Sequence, residues 1–377
     1  MSTGARGAAP AAGACERCLR RSWLLAELGG TLDFLAPDRD RLVELLALAD
    51  EELLRAAGGR RRAQLRARYE RFDPRELQIG AQVQTACRHD RLYPASLRGP
   101  AAPRMLHVAG GAQRLAQLAA APVVAIVGGA RASDYGIEMA GSLARGLAAS
   151  GVTVASGLAG GIPAAAHAGA LEAQRGTLAV MPGGLGVSAP ARRRSLYERI
   201  ARRGCAVAEL PWDCSGRRWG RAASERILAQ LAQLIIVVEA GEGAGELAIA
   251  RIGQSLGRAV AALPGRVTSP LSRGTNGLLR EGASMVREPG DALDLLYRLG
   301  GPRMAPPSAD APRSALGPRL RSVLEQVGAG RDTPARLCDR GADAEEVLLA
   351  LSELELMGLL GRGDGGRYVA REASPPA

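Results

Sequence analysis

"VVAIVGGARASDYGIEMAGSLARGLAASG", residues 123–151, decides the fold. Five apolar residues in a row suit a strand buried on both faces. Two glycines then turn the chain, and Leu and Ala at three- and four-residue spacing predict an amphipathic helix. The first amides of a helix have no partner within it, so a strand, a glycine turn and a helix together make a cradle for an anion. The question is whose phosphate it would hold: a dinucleotide's, a small nucleotide's or a nucleic-acid backbone's.

The same pattern recurs. "TVASG" (153–157), "TLAVMPGG" (177–184), "AVAEL" (206–210), "LIIVVEAG" (234–241), "AVAALPG" (259–265) and "SMVRE" (284–288) alternate with helical stretches. The expected fold class is α/β: a parallel sheet of the extended Rossmann kind, covered by helices on both faces. Glycine turns also end the second and third of these strands, at "SGLAGGIPAAAH" (156–167) and "MPGGLG" (181–186). None reads G-x-G-x-x-G, and no acid ends the second strand where a ribose would be held. No dinucleotide or other cofactor is expected. Several shallow amide sites along one sheet edge suit a polymer backbone better than one pyrophosphate.

On the N-terminal side, residues 15–78 read as a helical domain after a tail at 1–14. "SWLLAEL", "DRDRLVELLALADEELLRAA" and "RRRAQLRARYERF" are its helices, with Asp38 as an N-cap and Gly58-Gly59 as a stop. The α/β domain takes 79–300 and opens with a Pro-rich connector ending in a short strand at 89–110. Residues 301–315 form a Pro- and Ala-rich linker and 372–377 a tail. Between them, 316–371 reads as three helices and a hairpin, the winged-helix order. That unit holds eight Arg against nine acids, and "DAEEVLLALSELE" falls where a recognition helix would meet DNA, so protein contact is its expected use.

The 377 residues carry a net charge of +11, which favours polyanionic partners. All 49 basic residues are Arg, however, and a chain-wide compositional drift would leave the same imprint. Aromatics are only 3%, too few for an aromatic base-stacking platform. No 18-residue apolar run or signal-peptide layout occurs, so a soluble, cytoplasmic protein without membrane contact is expected. The six cysteines are scattered, as reduced thiols would be. Cys15-Glu-Arg-Cys18 is half a zinc knuckle, but no second pair follows and the segment reads as a loose arm, so no metal is expected.

"VAIVGGARASDYG", "GVTVASGLAGGIPAAAHAGAL", "LIIVVEAG", "AALPGRVTSPLSRGTNGLLREGA" and "ALSELELMGLLGRGDGGRYV" together resemble the DNA-processing protein DprA (Smf) family, in collinear order over residues 89–370. The resemblance implies an extended Rossmann fold, a helical N-terminal domain like a sterile-alpha-motif unit and a C-terminal winged helix. It also implies binding and protection of single-stranded DNA, dimerisation and loading of the RecA recombinase in natural transformation (competence), DNA processing and recombination. No catalytic residue is implied. Carried onto this chain, the nucleic-acid site comprises Gly128, Gly129, Arg131, Gly157, Arg226, Arg273, Thr275, Asn276 and Arg280. For Thr275 the reading favours helix capping and pocket shape; for Asn276 capping and ligand contact stay open.

The chain departs from the family at that pocket. Gly128-Gly129-Ala130 stands for Gly-Ser-Arg, with Arg131 one place on, and Leu158-Ala159-Gly160-Gly161-Ile162-Pro163 for Leu-Ala-Arg-Gly-Ile-Asp. Ala223-Ser224-Glu225-Arg226 replaces Arg-Arg-Asn-Arg, and Gly243-Ala244-Gly245-Glu246 replaces Lys-Ser-Gly-Ser. DNA binding weaker than in typical members is expected, with the log–log salt slope falling by about one unit per phosphate contact removed. Arg192-Arg193-Arg194 and Arg217-Arg218-Arg221 offer relocated charge. Trp212 and Trp219 flank an Arg-rich loop and read as loop covers before base-stackers, and His167 reads as a packed histidine. Two rivals stand beside this reading. One is a degenerate paralogue serving as a protein-interaction module. The other is a nucleoside-monophosphate phosphoribohydrolase, whose Pro-Gly-Gly-x-Gly-Thr-x-x-Glu motif is matched at Pro182, Gly183, Gly184 and Gly186. Val187 and Pro190 replace its Thr and catalytic Glu, so no enzyme is expected.

Overall fold

A computed structural model describes residues 13–77, 79–99, 101–173, 175–187, 193–215, 218–298, 317–338, 343–356, 359–362 and 368–370. The expected linker, the C-terminal tail, residues 1–12 of the N-terminal tail, Pro190, Arg192 and Arg217 lie outside them. Internal contacts group the chain into two units, Met1–Arg303 and Met304–Ala377.

The first unit is built on nine strands: β1 (Val83–Cys87), β2 (Met105–Ala109), β3 (Val123–Val127), β4 (Thr153–Ser156), β5 (Thr177–Val180), β6 (Cys205–Ala208), β7 (Leu234–Val237), β8 (Ala259–Ala262) and β9 (Ser284–Met285). Their order across the sheet is β1-β2-β6-β5-β4-β3-β7-β8-β9. The seven strands from β3 to β9 are mutually parallel, whereas β1 and β2 add an antiparallel edge. The fold class is therefore α/β with a mixed sheet. Strand β1, "VQTAC", was not legible in the sequence: it follows no apolar run, and pairing with β2 is what extends it.

In β3 the period-2 alternation feeds two cores. Val123, Ala125 and Val127 share one with Leu115, Ile227, Leu228 and Ile249. Val124 and Ile126 share the other with Leu143, Leu147, Ile162 and Ala166. The covering helices, after five in the N-terminal region, are α6 (Ala112–Ala120), α7 (Asp134–Ala149), α8 (Ile162–Glu172), α9 (Arg194–Arg203), α10 (Arg218–Leu231), α11 (Leu247–Ser255), α12 (Arg273–Arg280) and α13 (Pro289–Arg298).

The N-terminal five are α1 (Glu16–Glu27), α2 (Gly29–Leu35), α3 (Arg39–Ala47), α4 (Asp50–Ala57) and α5 (Arg62–Glu70). Asp38 caps α3 by accepting from the Arg41 amide at 3.1 Å. The single helix expected over 38–57 breaks at Leu48, whose backbone is extended (φ −60°, ψ 152°). Tertiary contacts account for the break. Glu52 accepts from the Ala49 amide, and buried Asp50 accepts from Arg21 at 2.9 Å, Arg104 at 3.2 Å and Tyr69 Oη at 2.6 Å. Arg104 precedes β2, so this carboxylate ties helices to sheet. The leucines of these helices share a core with Leu210, Trp219, Ala222 and Ala223.

The second unit holds α14 (Pro318–Gly328), α15 (Pro334–Cys338), α16 (Ala344–Leu356) and the antiparallel pair β10 (Leu360–Arg362) and β11 (Tyr368–Ala370), around Val323, Leu324, Leu351, Leu354 and Leu360.

Candidate nucleic-acid interface

Strand order reverses at β3, which lies between β4 and β7. In open α/β sheets the crevice at that reversal, beyond the carboxyl ends of the strands, is where ligands bind. Here the protein fills it. Glu239, two residues past β7 and 4% exposed, reaches the start of α7. Its carboxylate accepts from the Ser133 amide at 2.9 Å and from Ser133 Oγ at 2.5 Å. Its carbonyl accepts from the Gly129 amide at 2.9 Å. An internal anion thus occupies the helix end where a pyrophosphate would sit.

The neighbouring turns are also partly spent. The Ile162 amide donates to Gly129 O at 3.2 Å. Gly161 adopts φ +60°, and a Cβ there would meet Gly129 O at 2.4 Å, so these two turns pack backbone to backbone. In the third turn the Gly184 amide donates to Cys214 O at 2.8 Å and the Gly186 amide to Trp212 O at 3.0 Å. A Cβ on Gly186 would strike the Trp212 ring at 2.4 Å. The bare amides expected along the sheet edge are therefore largely satisfied from within. That corrects the reading of three open cradles, because close backbone packing uses glycine as readily as phosphate does.

What stays open lies one step toward β5. A cavity of about 440 Å³ sits beyond the carboxyl ends of β3, β4 and β5, bounded by Gly128, Gly157 and Pro182 on the sheet side. Arg193, Arg218, Arg221, Glu225 and Glu246 supply its charged lining. Both carboxylates are paired: Arg221 Nε donates to Glu225 Oε1 at 3.1 Å and Arg221 Nη2 to Glu246 Oε1 at 3.0 Å, while Arg39 also donates to Glu225. The acids that the chain acquired in this pocket are thus neutralised locally. Arg193 Nη1 donates to Leu158 O at 2.7 Å, and Arg218 is exposed.

The wall at Gly157 is braced from behind. His167, fully buried, donates from Nε2 to Gly157 O at 2.9 Å, with Thr177 Oγ1 2.9 Å from Nδ1. Burial keeps the ring neutral and pushes its pKa down to about 4, against the opposing pull of the Gly157 hydrogen bond. His167 is a core residue rather than an acid–base group.

Of the residues expected in the site, Gly128 and Gly157 line the cavity. Gly129 is packed beside them, and Arg131 on the same turn is exposed without a hydrogen bond or ion pair among the described residues. The other five are elsewhere. Arg226 is 1% exposed and donates to Glu209 and to Ala101 O, which makes it an interior ion pair. Thr275 is fully buried and donates to Ser272 O at 3.0 Å. Asn276 uses both ends of its amide on Gly265, donating to its carbonyl at 3.0 Å and accepting from its amide at 3.1 Å. It clamps the loop after β8. Arg273 and Arg280 are exposed at the two ends of α12, which seats on the loop after β7 through the Gly274 amide and Ala240 O at 2.9 Å. Arg39 went unnoticed, because only the docking of α3 against α10 brings it to Glu225. Trp219 is buried in the helical core, and Trp212 covers the third turn.

Among the described residues, the carboxylates that line the cavity are already held by guanidinium groups, and Glu239 fills the crevice where a dinucleotide would sit. The fold and its basic edge thus define a Rossmann-type binding protein. Residues 84–297 match the family described as DNA recombination-mediator protein A. The chain is 36% identical over 255 residues to "Putative DNA processing protein DprA" of Mycobacterium tuberculosis, spanning 67% of this chain and 66% of that protein. It is 34% identical over 260 residues to "Protein Smf" of Escherichia coli, spanning 66% and 68%. The chain aligns with about two thirds of the length of these relatives. The solved structure of DprA from Streptococcus pneumoniae superposes with a TM-score of 0.60 at 26% identity, covering 75% of this chain and 98% of that one. DprA from Helicobacter pylori, whose structure was solved for its single-stranded DNA binding mode, gives 0.50 at 26% identity, covering 58% and 96%. The chain belongs to the DNA recombination-mediator protein A family, a family of DNA-binding, DNA-processing proteins and not of enzymes.

Proposed function

We propose that this chain binds single-stranded DNA along the carboxyl edge of its sheet and delivers it to a RecA-type recombinase, protecting incoming strands during natural transformation. The cavity carries the reading: Arg193, Arg218 and Arg221 line it together with the strand ends, and Arg131, on the turn after β3, is exposed without a hydrogen bond or ion pair among the described residues. Phosphates would sit among Arg131, Arg193, Arg218 and Arg221, with Gly128 and Gly157 allowing close approach of the sugar–phosphate chain. Arg273 and Arg280 offer a second, separate contact on α12. The likeness to the Helicobacter pylori protein supports a single strand as ligand. The protein would work in the cytoplasm as a homodimer, with a helical domain at 15–78, the Rossmann domain at 79–300 and a winged helix at 316–371. No helix among the described residues is long and apolar enough to cross a membrane.

One observation favours a second use for the last unit. Leu348 and Leu349 of α16 are half exposed on a helix that is acidic at both ends, a surface suited to protein and repellent to DNA. Anisotropy titrations of single- and double-stranded oligonucleotides, repeated across salt, test the main proposal. Wild type should prefer the single strand, and Arg131→Glu with Arg218→Glu should abolish binding at moderate salt. Equal affinity for both forms, or a double variant that binds like wild type, would overturn it.

A further inference from the structure

The N-terminal cysteine pair is not alone in the folded chain. Cys15 and Cys18 open α1, and Cys87 and His89 end β1 and begin the turn after it. Folding brings three Sγ atoms and one imidazole nitrogen within 4.8 Å of one another, although the two halves are some seventy positions apart in the chain. His89 Nδ1 stands 3.3 Å from Cys15 Sγ, 3.5 Å from Cys18 Sγ and 3.9 Å from Cys87 Sγ. A tetrahedral zinc ion with bonds of about 2.3 Å to sulfur and about 2.05 Å to nitrogen sets S···N edges of about 3.6 Å. The observed distances bracket that edge.

The surroundings are also built. The Cys15 amide points at Cys87 Sγ at 3.5 Å, the kind of N–H···S contact that stabilises a metal-bound thiolate. The Ala14 amide donates to Thr85 Oγ1 at 2.9 Å, pinning the arm against β1. All three thiols are free, and two of them are buried. Apolar packing accounts for Cys18 and Cys87 beside Met105, but not for an imidazole nitrogen turned toward three sulfurs.

We propose that Cys15, Cys18, Cys87 and His89 bind one Zn²⁺ as a closed structural site. Three thiolates and one neutral imidazole fill the tetrahedron, leaving no position for substrate, and binding releases the three thiol protons to solvent. The ion clamps the start of the helical region to the edge strand of the sheet. The sequence reading did not bring this cluster together because its second half is Cys-x-His on a strand end, not a second Cys-x-x-Cys.

The test uses the untagged full-length chain purified without chelator. Elemental analysis should find about one zinc per chain. Cobalt substitution should produce a thiolate charge-transfer band with intense tetrahedral d–d absorption. Cys15→Ser combined with Cys87→Ser should lower zinc affinity at least ten- to a hundred-fold. Cys214→Ser should leave it unchanged, and His89→Cys should keep the metal with a stronger charge-transfer band. Chelation should expose three further thiols to modification. Wild-type protein with under about 0.1 zinc per chain after growth in zinc-supplemented medium, or a cobalt form with an octahedral spectrum, overturns the proposal whether or not the variants fold.

Discussion

The crevice between β3 and β7 and the cavity above β3, β4 and β5 share one sheet edge and the same glycine-rich chemistry, yet one is closed and the other open. In the first, Glu239 supplies the anion itself and holds the start of α7. In the second, the carboxylates of Glu225 and Glu246 are held by Arg221 and Arg39 rather than by the helix starts at the strand ends. A glycine turn before a helix therefore signals a place where something negative belongs. It does not say whether that group comes from a ligand or from the protein.

The contrast can be broken from its buried charges outward. Arg226 belongs to neither region, despite its place beside Glu225 in sequence. Arg226→Leu should cost about 3–5 kcal/mol by stranding Glu209, and adding Glu209→Leu should recover most of it, as denaturant titration would measure. Equal DNA salt slopes in wild type and the double variant would confirm that Arg226 touches no phosphate. Next in size, Glu239→Ala should cost about 3 kcal/mol by stripping the Ser133 hydrogen bonds. It should also convert the closed crevice into an anion site. Phosphate or sulfate should then raise the melting temperature of the variant and leave wild type unmoved, and an unresponsive variant would argue that Glu239 does not stand in for a ligand.

Acid should loosen the open cavity of comparable order through its wall. The buried ring of His167 protonates only near pH 4 in the folded chain but near 6.5 once unfolded. Its contribution is complete above 6.5 and disappears as pH falls toward 4, a loss of about 3 kcal/mol. His107, on β2 and also pushed down to about 4 by burial, adds a loss in the same window. Chemical denaturation at pH 7 and pH 4.5 should show the difference, and His167→Gln should flatten it. The smallest effect concerns charge alone. Arg221→Ala should leave the fold intact, weaken oligo-dT binding several-fold and reduce the log–log salt slope by about 0.7 for one lost single-strand contact. An unchanged slope would assign Arg221 to charge compensation only.

Much of the fold was legible because it rests on local pattern. Apolar runs bounded by glycine turns marked all seven parallel strands, and Asp38 and Gly58 marked helix ends. Of the residues singled out in the sequence, Gly128 and Gly157 fall on the wall of the candidate cavity, where backbone shape defines it. Side chains whose meaning depends on a distant partner were misread: Arg226 through Glu209, Asn276 through Gly265, and the Cys15–Cys18 pair through His89. The break at Leu48 has the same origin, since Arg104 lies more than fifty residues from Asp50.

By itself, then, the sequence determined an α/β sheet with glycine-rich strand ends and its family, because periodicity and turn chemistry act between neighbours. Which of those ends stays open, which arginines face outward and which thiols meet was decided by tertiary structure alone. A buried charge must find its counter-charge wherever the chain brings one, and spacing along the sequence carries no record of that meeting.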